Sequence, residues 1–572
     1  MRILIFHGYL LGGTGSNVYN ARLAAALVAL GHEVHLLCQD RHPREQPFVD
    51  AAGDWDGGGL RVRDLRTDDG GGGGDAPARA GGNALARPGG DAPSGTGADG
   101  DAAREDACCT VYRPNIGSLL PVYVADRYEG VEARTFADCS EAEVAAYIEA
   151  NVLAVRDVIA RARPDVALAN HLVMGPVILA RALLASEIPY AVKVHGSALE
   201  YTVKPHPERF LPYAREGLAG ARAVLVGSHH TAASLWATLD DPALPERTRL
   251  GPPGVDVARF APRDPEGAHA GLAALLARLR ADPSPPTPGR GGGRAPGRSG
   301  APAVEARTAD AAGAPVGSDA FARDDRAAAC ALERLQPARD RLVAFVGKLI
   351  LNKGVDLLLA SWPLVLQSVP SARLLVVGFG ADRPLLERLL GALATGDLEG
   401  AEAIALPHLL AFLRSLRPDA RTRYAQAAHA LPERVVFTGR LDHDELVDLL
   451  PACEAMVVPS TFPEAFGMVA AEAAACGALP ISAAHSGLAE VSRTLARAVP
   501  EEVVPWLSFP VDDLSVGALA ERVIAWLTVD PAVRERTRAG LVRTVRECWS
   551  WEGVARGVIA AARGELDALA RP

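Results

Sequence analysis

At 572 residues the chain exceeds what one hydrophobic core organises, so two principal domains with decorations are expected. Hydrophobic residues make up 49%, as in a globular protein, and a formal charge of −10 from 59 basic and 69 acidic residues argues against nucleic acid as a partner, because nucleic acid demands clustered Lys and Arg. The eight cysteines show neither CxxC spacing nor the density of a disulfide scaffold, which points to a reducing cytoplasm, and no metal site is expected.

The first apolar run, Ile3 to Phe6, is far shorter than a signal-peptide core, and no window approaches the roughly 18 apolar residues of a spanning helix, so any membrane contact is expected to be peripheral, at the inner membrane face. That run reads as a strand over Arg2 to Phe6. It meets the glycines Gly12, Gly13 and Gly15 and then a helix from about Asn17 to Leu30, with Leu23, Leu27 and Leu30 on one face and Gly31 as its stop. Glycine amides at a helix N-terminus favour an anion. A dinucleotide fingerprint would need a third glycine where Val18 stands, although Asp40 could still mimic its ribose-binding acid, so an NAD-dependent oxidoreductase stays open as an alternative.

Further strands are expected at Glu33 to Cys38, Val166 to Asn170, Tyr190 to Val194 and Ala223 to Val226. Two stretches, from about Gly53 to Asp106 and from about Asp282 to Asp319, are built from Gly, Asp, Ala, Pro and Arg and read as disordered insertions. The alternation resumes with strands at Leu342 to Val346, Arg373 to Val377, Val435 to Thr438, Ala455 to Pro459 and Leu479 to Ser482. The fold class is therefore α/β, with two Rossmann-like doubly wound parallel sheets.

In "VPSTFPEAFGMVAAEAAACGALPIS", Glu464 and Glu472 stand eight residues apart. A helix starting near Phe466 or Gly467 puts both acids beside the backbone amides of Phe466, Gly467, Met468 and Val469, an arrangement suited to a sugar hydroxyl, a diphosphate and a ribose. Pro459 to Glu490 resembles the E-x7-E region of glycosyltransferase family 4, the retaining GT-B enzymes of group 1. "VGKLILNKGVDLLL", "VVFTGRLDHDELVDLL", "GPPGVDVARF", "IPYAVKVHGSALE" and "CWSWEGVARGVIAAA" resemble other parts of the same family.

The resemblance implies a GT-B architecture with two Rossmann-like domains facing a cleft: residues 1–258 as acceptor domain, 259–340 as linker and low-complexity insertion, 341–545 as nucleotide-sugar domain, and 546–572 as a closing helix returning to the first domain. It implies a retaining transfer of a sugar from a nucleotide-sugar donor, a UDP-sugar as first guess, to a sugar, lipid-linked or small-molecule hydroxyl, without metal or further cofactor. Glu464 would meet the donor sugar and Glu472 the ribose, Lys348 and Lys353 would neutralise the diphosphate, and His195 would contact the transferred sugar. Arg440, in the base-side loop, would join the donor contacts; Gly12, Gly13 and Gly15 would reach the donor; Asn17 and His171 would face the acceptor. Two departures stand out: Lys348 replaces the family's arginine, and Ser486 replaces the first of its paired glycines before Glu490. A catalytically silent sugar-binding protein of the same fold remains a second alternative, and a GT-B phosphorylase or epimerase a third.

Overall fold

The computed structural model describes residues 1–12, 15–57, 59–66, 108–123, 131–281 and 323–572; most of both expected insertions, and Gly13, lie outside the described residues. The chain divides into two compact units. The first comprises Met1–Asp256, Glu464–Met468 and Arg546–Pro572, and the second Val257–Pro463 and Val469–Val545.

The first unit holds β1 (Arg2–Phe6), β2 (Glu33–Leu37), β3 (Ala51–Asp56), β4 (Gly59–Asp64), β5 (Cys109–Arg113), β6 (Leu119–Val122), β7 (Glu132–Thr135), β8 (Val166–Asn170), β9 (Tyr190–Val194), β10 (Ala223–Val226) and β11 (Thr248–Leu250). Nine of these form one sheet in the order β11-β10-β9-β8-β1-β2-β5-β3-β4, and β6 pairs separately with β7. All neighbours in the large sheet are parallel except the edge hairpin β3–β4. The central strands are buried on both faces, as in "VALAN" of β8, which is why they read as continuous apolar runs rather than as alternation. On one face the helices Glu141–Ala162, Gly175–Leu183 and Pro207–Ala219 contribute Val155, Ile178 and Phe210 to the core. On the other, the helices Gly15–Ala29 and Trp551–Arg563 contribute Leu23, Leu27 and Val558.

Local signals explain several boundaries. Ser140 and Glu143 form a reciprocal capping box that starts the helix Glu141–Ala162. Gly31 adopts φ 86° and terminates the helix Gly15–Ala29, which opens two residues earlier than the sequence suggested. The hairpin β3–β4 occupies the start of a stretch read as an insertion. Its glycines and charges hide the pattern, yet Gly53 lies against Tyr112, where a Cβ would sit 2.6 Å from the ring.

The second unit contains β12 (Arg341–Val346), β13 (Ala372–Val377), β14 (Val435–Gly439), β15 (Ala455–Val458), β16 (Leu479–Ala483) and β17 (Ser508–Phe509), in the all-parallel order β14-β13-β12-β15-β16-β17. Helices Val355–Ser368 and Ser515–Thr528 pack together over the sheet, and Trp362 and Trp526 are fully buried. The expected linker 259–340 is helical at both ends, with Pro265–Ala281 and Asp325–Leu332 packed on each other within this unit. No helix among the described residues is long and apolar enough to cross a membrane.

Candidate functional site

In the first unit the candidate residues gather at the C-terminal ends of β1, β8 and β9, where open parallel sheets hold ligands. His195 directly follows β9. Its Nε2–H donates to Asn170 Oδ1 at 2.8 Å, and Asn170 is itself oriented by donating to Phe6 O at 3.2 Å. Burial, aided by His171, Lys193 and His7, pushes the His195 imidazolium well below the usual histidine range, so the ring is neutral. Tyr19 meets His195 edge-on at 4.9 Å, and the buried Lys193 ammonium lies over the other side of that network, 5.5 Å from the Tyr19 centroid, donating to Gly251 O. Burial lowers Lys193 to about 7.

His171 lies in a nest of rings, 4.5 Å from Tyr123, 5.0 Å from His195, 5.4 Å from Tyr9 and 5.9 Å from His7. Its backbone adopts φ 70°, it is 2% exposed, and neither ring nitrogen has a hydrogen-bond partner. A buried polar group without partners is costly, and a residue kept in that state at a strand end is a functional candidate.

Asn17, expected to face an acceptor, is held from within the unit. It is 2% exposed, its Oδ1 accepts from His7 Nε2 at 3.0 Å, and its Nδ2 donates to Gly12 O at 2.8 Å. Asn20 donates to His7 Nδ1 at 3.0 Å, so Asn17, Asn20 and His7 form one network tied to Gly12 O and Ser16 O. Burial holds His7 neutral, at about 4. Gly12 and Gly15 are exposed, and a Cβ on either would meet nothing within 4 Å. Gly13 lies outside the described residues. Asp40, the acid a dinucleotide reading needs, is occupied by the backbone: its two oxygens accept from Leu11 N at 3.0 Å and His42 N at 2.9 Å.

Glu464 belongs to the five-residue segment that joins this unit. Ala465 sits 3.2 Å from where a Cβ on Gly196 would stand, and Phe466 packs edge-on against Trp549 at 5.3 Å. Glu464 is thus held beside the His195–Gly196 turn. The helix expected from Phe466 or Gly467 opens at Met468, so Met468 and Val469 supply its first turn and Phe466 serves as a packing anchor.

In the second unit, Lys348 follows β12 and Lys353 closes the short 3₁₀ turn Leu351–Lys353, both partly exposed. This loop is pinned to the end of β15: Thr461 N donates to Asn352 O at 2.9 Å, and Gly354, at φ 66°, approaches so closely that a Cβ would lie 1.9 Å from Pro459 O. Leu351 N donates to Asp382 Oδ2 at 2.9 Å, fixing the turn from the other side. Arg440 directly follows β14, paired with Asp442 at 3.3 Å and lying 5.4 Å over Phe379. Glu472 is 2% exposed, and its Oε1 accepts from His443 Nε2 at 2.7 Å. Ser486 occupies φ 51°, a conformation that suits the glycine it replaces; its hydroxyl meets His485 Nδ1 at 3.0 Å, and His485 Nε2 donates to Ser460 O at 2.7 Å. Sequence reasoning missed His443, His485 and Lys193, since a lone basic residue carries no motif until a partner is visible.

Residues 417–537 match the protein family described as Glycosyl transferases group 1. The fold is GT-B: sucrose-phosphate synthase from Thermosynechococcus elongatus superposes with a TM-score of 0.53 at 18% identity over 99% of both chains, and Anabaena HepE in complex with UDP and glucose with 0.50 at 14% over 99% of this chain and 100% of that one. The chain is 30% identical over 246 residues to a D-inositol 3-phosphate glycosyltransferase of Segniliparus rotundus (43% of this chain, 44% of the relative), and 27% identical over 217 residues to a GDP-mannose-dependent monoacylated alpha-(1-6)-phosphatidylinositol monomannoside mannosyltransferase of Corynebacterium glutamicum (37% and 44%). The matched stretch spans less than half the length of these curated relatives.

Proposed function

We propose that the protein is a retaining glycosyltransferase that moves a sugar from a nucleotide-sugar donor to a hydroxyl acceptor. One observation carries the reading: the group 1 match contains Glu472 as a buried carboxylate in the helix after β15, on the same unit as a lysine loop pinned to the end of β15. Glu472 accepts hydrogen bonds from the ribose. Lys348 and Lys353 offset the charge that grows on the diphosphate as the sugar–oxygen bond breaks, a task a metal ion performs in other enzymes. Glu464 and the neutral His195 accept from or donate to hydroxyls of the transferred sugar. The acceptor oxygen attacks from the face the diphosphate leaves, and a departing phosphate oxygen takes its proton.

Anabaena HepE is recorded with UDP and UDP-glucose, and the Corynebacterium relative is named for GDP-mannose, so UDP- and GDP-sugars are the donors to try first. The eight cysteines, none of them in a disulfide among the described residues, fit work in a reducing cytoplasm, with membrane contact at most peripheral. The test is a panel of nucleotide sugars scored by thermal shift and by release of nucleoside diphosphate in the presence of a chelator. A donor at about a hundred times its Kd adds about 2.7 kcal/mol of stability. No stabilisation and no release with any donor would refute the reading, and binding without release would favour a silent sugar-binding protein. The group 1 match and the GT-B fold weigh against the NAD alternative.

A further inference from the structure

The helix Met468–Ala475 buries Ala470, Ala471, Ala473, Ala474 and Ala475, and Glu472 is the one acid among them. A carboxylate taken out of water needs hydrogen-bond donors. His443 supplies one, with Nε2 2.7 Å from Glu472 Oε1. It is the first residue of the helix His443–Leu449, whose start is set by a capping box between Asp442 and Glu445, and its ring rests on Phe260 at 5.0 Å. The acids around it are matched by arginines: Asp442 and Glu445 by Arg323, Asp444 by Arg259, Asp448 by Arg263 and Arg278. Arg440 also reaches Asp442. On its own helix Glu472 has Cys476 one turn further on, a thiol that burial and the Glu472 charge keep protonated.

We propose that His443 is a positioning residue for nucleotide recognition: its Nε2–H fixes the orientation of Glu472, so that the carboxylate accepts from the two hydroxyls of a ribose. The proposal rests on the nucleotide-sugar reading above. A carboxylate oxygen accepts more than one hydrogen bond, so the histidine and the ribose share the acid. Without the histidine the carboxylate is free to turn, and the ribose loses an aligned acceptor.

The experiment is calorimetry on the full chain with UDP and with GDP, for the native protein, His443→Ala, His443→Gln and Glu472→Gln, with melting temperatures as the fold control. For whichever nucleotide binds, His443→Ala loses about tenfold in affinity. His443→Gln, which keeps a neutral donor, recovers it. Native affinity in His443→Ala overturns the proposal, and so does a loss that comes with a lowered melting temperature and that His443→Gln does not recover, which is the mark of a purely structural contact. If Glu472→Gln binds as tightly as the native chain, or if neither nucleotide binds the native chain, the nucleotide role of Glu472 fails and takes the proposal with it. A loss in Glu472→Gln with none in His443→Ala refutes the positioning role alone.

Discussion

Asn170 Oδ1 accepts the Nε2 proton of His195 at 2.8 Å, and that one bond selects the tautomer whose Nδ1 keeps its lone pair. Asn170 cannot turn its amide over without losing its own bond to Phe6 O. Replacing Asn170 by Ala frees the imidazole to rotate and to exchange tautomers. Turnover is expected to fall about tenfold, the equivalent of one hydrogen bond, with nucleoside diphosphate affinity unchanged. Steady-state kinetics beside calorimetry checks it; an unchanged turnover number would dissociate His195 from the reacting sugar.

The same strand ends store a pH dependence. His7, His171 and His195 are all held below the usual histidine value of 6.5, first by burial, so between about pH 4 and 6.5 the unfolded chain binds more protons than the folded one. Stability therefore falls as pH drops through that window, by up to about 1.4 kcal/mol per pH unit for each histidine. His171→Phe removes one of the three and fills the same ring nest without orphaned nitrogens. Its melting temperature should exceed the native one, increasingly so toward pH 5, while transfer to acceptor drops and donor binding persists. A variant no more stable than the native chain would mean that the His171 nitrogens are satisfied in solution.

Asp356 provides the opposite sign in the second unit. Burial at the start of the helix Val355–Ser368 raises its carboxyl to about 6, against the amides of Leu357 and Asp356 that lower it. A folded value above the unfolded one costs stability as pH rises from about 4 to about 6, and the cost is complete above that. Asp356→Asn should stabilise by up to about 3 kcal/mol at neutral pH and by nothing at pH below about 4. Urea midpoints at the two pH values measure the difference, and equal effects at both would assign Asp356 to packing alone.

Glu464 and Glu472 are expected to separate by function. Glu464→Gln should cut turnover more than it weakens nucleoside diphosphate binding, because the residue stands beside the His195–Gly196 turn and is assigned to the sugar. Glu472→Ala should weaken nucleotide binding directly. Equal losses of nucleoside diphosphate affinity in the two variants would contradict that division.

Most of the parallel strands were legible because burial on both faces leaves runs such as "RILIF" and "VALAN" with no polar residue but their ends, while β5 and the short β11 and β17 were not expected. The hairpin β3–β4 was not, since Gly53, Asp54 and Arg61 resemble the low-complexity stretch that follows and their partner β5 lies more than forty residues further on. The two glutamates could be picked out by spacing, and the lysine loop by its resemblance to the family. The partner of Asn17 could not be read, because the sequence does not reveal that His7, ten residues earlier, bonds its side-chain oxygen. For the same reason the His443–Glu472 pair, 29 residues apart, became visible only in three dimensions.

Lys348 is where the chain departs from the arginine its resemblance leads one to expect. The loop that carries it has little freedom, tied by Leu349 N to Phe379 O at 2.7 Å and closed by Gly378, where a Cβ would lie 1.9 Å from Gly347 O. An ammonium at this place acts as a point charge, and removing it as Lys348→Ala should cost roughly 1.5 to 3 kcal/mol of a charge-assisted contact. The loss should fall on turnover, since negative charge accumulates on the diphosphate as the bond breaks. Lys348→Arg is the informative partner: a guanidinium that fits holds two oxygens and matches or exceeds the native rate, whereas one that clashes with the pinned loop lowers it, showing that the surroundings are matched to the shorter head group. Rapid-quench turnover and donor affinity for both variants decide the matter. Should Lys348→Ala leave both unchanged while Lys353→Ala abolishes them, the two-lysine clamp is wrong, and Lys353 with the helix start at Met468 and Val469 must carry the leaving group.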